Sequence, residues 1–138
     1  MNAERLEIAR RLVACPKWVW LPGMAAVGET GSDFGDRIVN IRIGGTRATA
    51  ASGCSEVYEI NLPFCLPDLD DDLTRMGVLA VVRRAHDDPS MGVVGSRGGL
   101  WCVSRSKMAE HAHPLAVDLR WPSMTEEAAL LAALESAS

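Results

Sequence analysis

A chain of 138 residues with 48% hydrophobic and 23% charged side chains is expected to fold as one domain around one core. Its net charge of −4 argues against general nucleic-acid binding, because a basic face is needed to neutralise phosphates. The longest apolar runs, Gly77 to Val82 and Ala128 to Leu134, are too short to cross a bilayer, and the charged N-terminal residues lack the apolar core of a signal peptide. We therefore expect a cytoplasmic protein without a membrane partner.

The N-terminal residues predict a helix from Ala3 to about Ala14. Asn2 is a suitable N-cap for this helix, and Pro16 ends it because the residue before a proline avoids helical angles. Trp18 and Trp20 follow in a segment with extended character. At this spacing both indoles lie on one side of the chain.

The next part of the chain predicts strands. Residues 28–36 hold three glycines without periodicity and predict a loop. Val39, Ile41 and Ile43 then alternate with polar residues, which predicts a strand with these three side chains on its apolar face. Gly44-Gly45 is typical of a hairpin turn that leads into a return strand from Thr46 to Ala51 and a third strand at 56–60.

A central helix is predicted between Pro67 and Pro89. Four aspartates crowd its start, where they can cap free N–H groups and meet the positive end of the helix dipole. Thr74 is expected on the small polar side of the helix. Gly77 costs roughly 1 kcal/mol against alanine, which indicates that another element crosses closely there. The predicted apolar stripe consists of Leu73, Met76, Leu79, Ala80 and Val82, widened by Val78 and Val81.

The C-terminal part predicts a second hairpin, one further strand and a last helix. The hairpin joins Met91–Val94 to Leu100–Ser104, and residues 115–119 form the next strand before Trp121-Pro122. Ser123-x-x-Glu126 has the pattern of a capping box at the start of the last helix.

This order of elements is not the strict alternation of strand and helix that a parallel sheet requires. We therefore expect an α+β fold, with an antiparallel sheet of five or six strands and three helices in a single domain over residues 1–138.

Four stretches of the chain resemble small uncharacterised proteins encoded in bacteriophage and prophage genomes. They are Leu12 to Met24, Leu66 to Asp71 with the apolar helix after it, Asp87-Asp88-Pro89, and Thr125 to Glu135. The layout is also loosely similar to the phage domain described as an α-β-α sandwich. The resemblance covers about half of the chain, and it implies a phage accessory protein in the host bacterial cell, of a kind that often blocks host factors or defence signals.

Little in the pattern of histidines, cysteines and acidic residues indicates a metal or catalytic site. His111-x-His113 could present two imidazoles on one side of an extended segment, but no third ligand is obvious beyond Glu110, His86 or a cysteine. The four cysteines include no C-x-x-C pair, which favours free thiols. No nucleophile motif is present. We therefore predict no metal, no cofactor and no catalytic residue.

Two glycine-rich stretches could present backbone N–H groups to an anion. They are Gly28-x-x-Gly31 and Gly95 to Gly99, the second with Arg97 as a bidentate partner. Neither has a Walker or Rossmann pattern, and hairpin turns are the better explanation of both.

Tryptophan accounts for four of the seven aromatic residues. An indole beside arginines can stack on a nucleobase while the guanidinium groups bind its phosphates. Trp101 lies near two arginines in sequence, and Trp20 precedes a turn. The predicted ligand-binding residues are Trp101, Arg97, Arg105, Gly98, Trp20 and Arg42.

Two hypotheses of function follow. The first is a non-enzymatic protein that sequesters a small anionic ligand, such as a nucleotide signal of host immunity. The second is an inhibitor that binds a host defence protein, similar to an anti-CRISPR protein, through a sheet edge or its acidic surface. An enzyme of unknown type is a third alternative. A homo-oligomer is expected in either of the first two cases, because a two-fold interface can deepen a shallow pocket.

Overall fold

The computed structural model describes residues 1–29, 36–42, 45–51, 57–95, 98–106 and 117–137, with only the backbone at 106 and 117. Over these ranges it contains three α-helices and eight strands in two antiparallel sheets, which confirms the α+β class. The residues group into two compact units. The first holds residues 1–14 and 18–77, and the second holds 15–17 and 78–138. The single-domain interpretation stays a prediction.

The elements of the first unit are one helix, five strands and a short 3₁₀ turn, and the central helix begins there. They are α1 (Ala3–Ala14), β1 (Ala25–Gly28), β2 (Asp36–Ile41), β3 (Arg47–Ala51), β4 (Val57–Asn61), the 3₁₀ turn (Leu62–Phe64), β5 (Cys65–Pro67) and α2 (Asp72–Ala85), whose residues divide between the units after Gly77.

The elements of the second unit are the rest of α2, three strands and a helix. They are β6 (Gly92–Gly95), β7 (Trp101–Ser106), β8 (Val117–Ser123) and α3 (Glu126–Ser136).

Helix α1 has the bounds that its sequence predicts. The Asn2 side chain accepts a hydrogen bond from Arg5 N at 2.8 Å, which confirms this residue as the cap. The helix buries Ile8, Ala9 and Leu12, spaced as one face of a helix requires.

The five strands of the first unit pair in the order β4-β3-β2-β1-β5. The hairpin strands β2 and β3 and the third strand β4 confirm the sequence prediction, whereas β1 and β5 were not predicted. A bulge at Val39 shifts the register between β2 and β3. Ile38 is therefore buried and Val39 is 53% exposed, so the predicted placement of Val39 on an apolar face is wrong. Ile43 and Gly44 lie outside the described residues.

Helix α2 begins at Asp72, later than the sequence suggests, because Asp71 is its cap. Asp71 Oδ2 accepts hydrogen bonds from Thr74 N at 2.8 Å and Thr74 Oγ1 at 2.6 Å. The predicted stripe is wrong at Leu73 and Met76, which are 54% and 66% exposed. Thr74, expected on the small polar side of the helix, is fully buried. The Thr74 hydroxyl accepts a hydrogen bond from Ala25 N at 2.8 Å, so the sheet satisfies this buried group.

Gly77 confirms the predicted close crossing. A β-carbon on Gly77 would lie 2.8 Å from Cε and 2.9 Å from Cγ of Met24, which is itself buried. The segment before β1 therefore packs directly on this turn of α2.

Helix α2 ends in a Schellman motif. Asp88 N donates to Arg83 O and Asp87 N donates to Arg84 O, with Asp87 in the left-handed region at φ 49°. Asp87 and Asp88 therefore form the turn that ends the helix.

The second sheet has the order β6-β7-β8 and includes the predicted hairpin. Strand β8 continues past the predicted end because a bulge accommodates Trp121-Pro122. Two residues of β8 face Cys102 alone, and Trp121 adopts a φ of 55°. Its ring lies 5.4 Å from the ring of His86.

Helix α3 is capped by Thr125, whose hydroxyl accepts a hydrogen bond from Ala128 N at 3.2 Å. The predicted capping box at Ser123-x-x-Glu126 is therefore wrong. Ser123 is still part of β8, where its hydroxyl donates to Trp121 O. Of the described helices, none is long and apolar enough to span a membrane.

Candidate functional site

A pocket of about 490 Å³ lies within the first unit, between α1 and the β1–β5 end of the sheet. Cavities of this size hold small molecules in many proteins. We call it the α1–β5 pocket. It is lined by Arg10, Val13, Glu29, Pro63, Cys65 and Leu66.

Two local features of the fold assemble this lining. Arg10 and Val13 are three residues apart on α1 and therefore share one side of the helix. Gly28 of β1 pairs with Cys65 of β5, so Glu29, the next residue after β1, follows directly from that pairing. The pocket thus joins a helix face to residues far apart in sequence.

Arg10 supplies the positive charge of the pocket. Its Nη2 donates to the Glu29 carbonyl oxygen at 3.5 Å, and its Nη1 lies 3.7 Å from Glu7 Oε2. Both distances are long, and the Arg10 side chain is 51% exposed. A guanidinium group has five N–H donors, so these contacts leave Arg10 able to bind a further acceptor.

Cys65 forms part of the opposite wall. Burial raises the pKa of its thiol, and the carboxylates of Asp36 and Glu29 raise it further. Its Sγ donates to the Asn61 carbonyl oxygen at 3.3 Å. A neutral thiol is a poor nucleophile, so Cys65 is better suited to contact a ligand than to attack one.

The remaining lining divides the pocket into chemically different sides. Val13, Pro63 and Leu66 offer apolar surface, and Glu29 can accept hydrogen bonds. The arrangement suits a small molecule with an anionic group for Arg10 and a hydrogen-bond donor for the acidic side.

Comparison with known proteins gave no match. Family models, curated proteins and solved structures were all without a significant similarity to the chain. The function must therefore be inferred from the residues of the site.

Metal binding finds no support in the described ranges, where no group of three histidine, cysteine or acidic side chains could hold an ion. His111 and His113 lie outside these ranges, as does Cys54. The imidazole of His86 is engaged elsewhere, because its Nε2 lies 2.7 Å from the Ala133 carbonyl oxygen.

Three of the predicted ligand-binding residues belong to the second unit. Trp101 is 36% exposed at the start of β7, and Arg105 lies on the same face of that strand. Arg105 Nε is 3.2 Å from Asp88 Oδ2, so an anion at this position would compete with an acidic side chain. Gly98 is exposed in the β6–β7 connection, and Arg97 lies outside the described residues.

Trp20 and Arg42 belong to the first unit. The rings of Trp18 and Trp20 meet edge to face at 5.5 Å, in agreement with their expected placement on one side of the chain. Arg42 Nη1 lies 3.2 Å from Glu59 Oε1, which Arg47 also approaches at 3.7 Å. None of the five described residues of the predicted set lines the α1–β5 pocket, and their role as ligand contacts stays a prediction.

Sequence reasoning did not identify the α1–β5 pocket. Residues 25–28 are small and apolar, and residues 65–67 contain only one hydrophobic side chain between a cysteine and a proline. Neither stretch shows the alternation that marks a strand. The only local signal was the spacing of Arg10, which lies three residues from an apolar residue on a short amphipathic helix. This pattern is too common to identify a site.

Proposed function

We propose that this protein is a non-enzymatic binding protein that holds a small anionic ligand in the α1–β5 pocket. The observation that carries the proposal is a pocket of about 490 Å³ with the weakly engaged guanidinium of Arg10 on one side. In it, the ligand's anionic group binds Arg10 and its apolar body contacts Val13, Pro63 and Leu66.

The ligand class is narrowed by the acidic side of the pocket. Glu29 lines this side, and the carboxylate of Asp36 is close enough to raise the pKa of the Cys65 thiol. A purely anionic ligand would be repelled there, whereas a nucleotide offers phosphate oxygens to Arg10 and base amino groups to the carboxylates. We therefore favour nucleotides among small anions.

We place this binding protein among bacteriophage accessory proteins that act against host defence, in the cytoplasm of the host bacterium. This setting follows from the resemblance of the sequence to phage proteins. Sequestration of a nucleotide signal needs binding and no chemical step, and a neutral Cys65 thiol in the pocket agrees with such a role.

The test is native mass spectrometry of the full chain purified from a bacterial host, followed by calorimetric titration with AMP, ATP and cyclic di-AMP. Arg10→Ala removes the proposed anion contact, and Arg11→Ala removes the same charge from the neighbouring position of the helix. The Trp101→Ala and Arg105→Ala variants test the predicted site on β7. Loss of binding in Arg10→Ala alone supports the pocket, loss in the β7 variants alone moves the site to the second unit, and no binding of any probe contradicts nucleotide binding.

A second function, inhibition of a host defence protein, is favoured by a different observation. Leu73 and Met76 lie three residues apart on α2 and are both more than half exposed. A helix can bind the groove of a partner through apolar side chains at this spacing. The double variant Leu73→Ser/Met76→Ser would abolish inhibition by such a mechanism and leave nucleotide binding unchanged.

A further inference from the structure

Strand β4 is the least protected sheet edge among the described residues. Proteins usually shield edges with short strands, prolines, bulges or charges. At the opposite edge of its sheet, β5 has three residues and ends at Pro67. In the other sheet, β8 contains the bulge at Trp121-Pro122, and β6 has four residues between Gly92 and Gly95. Strand β4 has five residues with no proline, glycine or bulge.

The outer edge of β4 presents a defined set of backbone groups. Leu62 N donates to Thr46 O at 2.9 Å, so at this position the chain bonds toward β3. Because N–H groups alternate in direction along a strand, Tyr58 and Ile60 also bond toward β3. Val57, Glu59 and Asn61 therefore direct their N–H and C=O groups outward. The Asn61 carbonyl is the exception, because it accepts the first hydrogen bond of the 3₁₀ turn as well as the Cys65 thiol.

We propose that β4 pairs antiparallel with β4 of a second copy of this chain, about a two-fold axis at Glu59. In this register Val57 faces Asn61 of the second copy, and Glu59 faces Glu59 of the second copy. Glu59 then exchanges two hydrogen bonds with its copy, and the Asn61 N–H of each chain donates to the Val57 carbonyl of the other, as an antiparallel ladder requires. The two five-stranded sheets join into one continuous sheet.

The apolar side chains of β4 complement themselves in this register. Tyr58 is 39% exposed, and it faces Ile60 of the second copy on the apolar side of the sheet. The symmetry repeats the contact, which gives two pairs of an aromatic with a β-branched side chain. Such pairs are among those that stabilise antiparallel sheets.

Each of the two glutamates that this register brings together is paired within its own chain. Two glutamates placed opposite each other would repel, but each Glu59 is approached by Arg42 at 3.2 Å and by Arg47 at 3.7 Å in its own chain. The interface therefore contains four guanidinium groups for two carboxylates. Because Tyr58 and Ile60 face each other twice and each Glu59 keeps its own arginines, β4 matches a second copy of itself without any other residue.

Cysteine substitution tests the register directly. Residue 59 faces itself across the axis, and paired Cα atoms about 5.5 Å apart are within the range that a disulfide spans. Under mild oxidation, Glu59→Cys is expected to form a disulfide-linked dimer. The matched control is Val57→Cys, whose two copies lie about 14 Å apart and cannot be joined. A mixture of Val57→Cys and Asn61→Cys is expected to cross-link, and the wild-type chain measures the background from its own thiols.

Sedimentation equilibrium of the full chain tests the association itself. At micromolar concentration the wild type is expected to have twice the mass of one chain. Glu59→Pro is expected to have the mass of one chain, because proline removes an outward N–H without removing a bond to β3. Far-ultraviolet circular dichroism checks that the variant remains folded. If Glu59→Pro does not fold, the cross-linking of the cysteine variants alone tests the proposal. A monomeric wild type overturns the proposal, even if it binds another protein at this edge. Equal cross-linking of Glu59→Cys and Val57→Cys also overturns it.

Discussion

Arg37 and Asp71 form a bidentate ion pair that joins β2 to the start of α2. Arg37 Nη2 lies 2.8 Å from Asp71 Oδ1, and Nη1 lies 3.1 Å from Oδ2. Arg37 Nη1 also donates to the Gly23 carbonyl oxygen at 2.6 Å, so one guanidinium holds the cap of α2 and the turn before β1. Since Glu29 follows β1, this pair stabilises the part of the sheet that carries one wall of the α1–β5 pocket.

The first prediction concerns the pH dependence of stability. Hydrogen bonds from Arg37, with further bonds from Thr74, lower the pKa of Asp71 from 3.8 to about 2. A lowered pKa in the folded state means that the stabilisation is complete above the unfolded value near 4 and is lost as the pH falls to about 2. It amounts to about 2 kcal/mol.

Asp71→Asn should therefore lower the free energy of unfolding by about 2 kcal/mol at neutral pH and have little effect near pH 2. Urea denaturation across this range measures the difference. Asp72→Asn is the control. This substitution removes the same charge from the same helix start, at a side chain that is 85% exposed. Equal losses in both variants at all pH values would show that the pair contributes nothing specific.

The second prediction concerns the close contact of Gly77 and Met24. Alanine at position 77 would gain roughly 1 kcal/mol in helix propensity, but its β-carbon would overlap Met24, whose Cγ leaves little freedom to move. Overpacking costs about 1 to 3 kcal/mol, so we expect Gly77→Ala to destabilise the protein. In the Met24→Ala background the same substitution should become neutral or stabilising. A double-mutant cycle by urea denaturation that gives additive effects would contradict this contact.

The third prediction concerns the end of α2. Asp87 occupies the left-handed position of a Schellman motif, where a residue with a β-carbon pays about 1 to 2 kcal/mol. Asp87→Gly should relieve most of this cost, offset in part by the greater entropy of glycine in the unfolded chain, and raise stability by about 0.5 to 1 kcal/mol. Asp87→Ala serves as the control and should not be stabilising. A lower melting temperature for Asp87→Gly would show that the aspartate side chain matters more than its backbone angle.

The sequence predicts those parts of the fold that depend on local chemistry. The bounds of α1 follow from Asn2 and Pro16, and the glycine at 77 indicates a close crossing that Met24 provides. The bulges at Val39 and Trp121 were not predictable, because a bulge depends on the register with a partner strand. For the same reason the exposed side of β2 was assigned incorrectly.

The candidate site was harder to predict than the fold, because only one of its walls lies on an element that local chemistry defines. Arg10 is presented by a helix that the sequence predicts well. The opposite wall depends on the pairing of Gly28 with Cys65, residues that no local pattern connects. The sequence instead indicated tryptophans near arginines as the ligand contacts. The structure places Trp101 and Arg105 on one strand but pairs Arg105 with Asp88.

The anion site at Arg10 is tested most directly by isothermal titration calorimetry with ATP. The measurement compares the affinities of the wild-type chain, Arg10→Ala and Arg11→Ala. A charged hydrogen bond contributes about 1.5 to 3 kcal/mol, so Arg10→Ala should raise Kd roughly 10- to 150-fold. Arg11→Ala should bind with the wild-type Kd. Equal Kd values for all three proteins would contradict an anion site at Arg10 in the α1–β5 pocket.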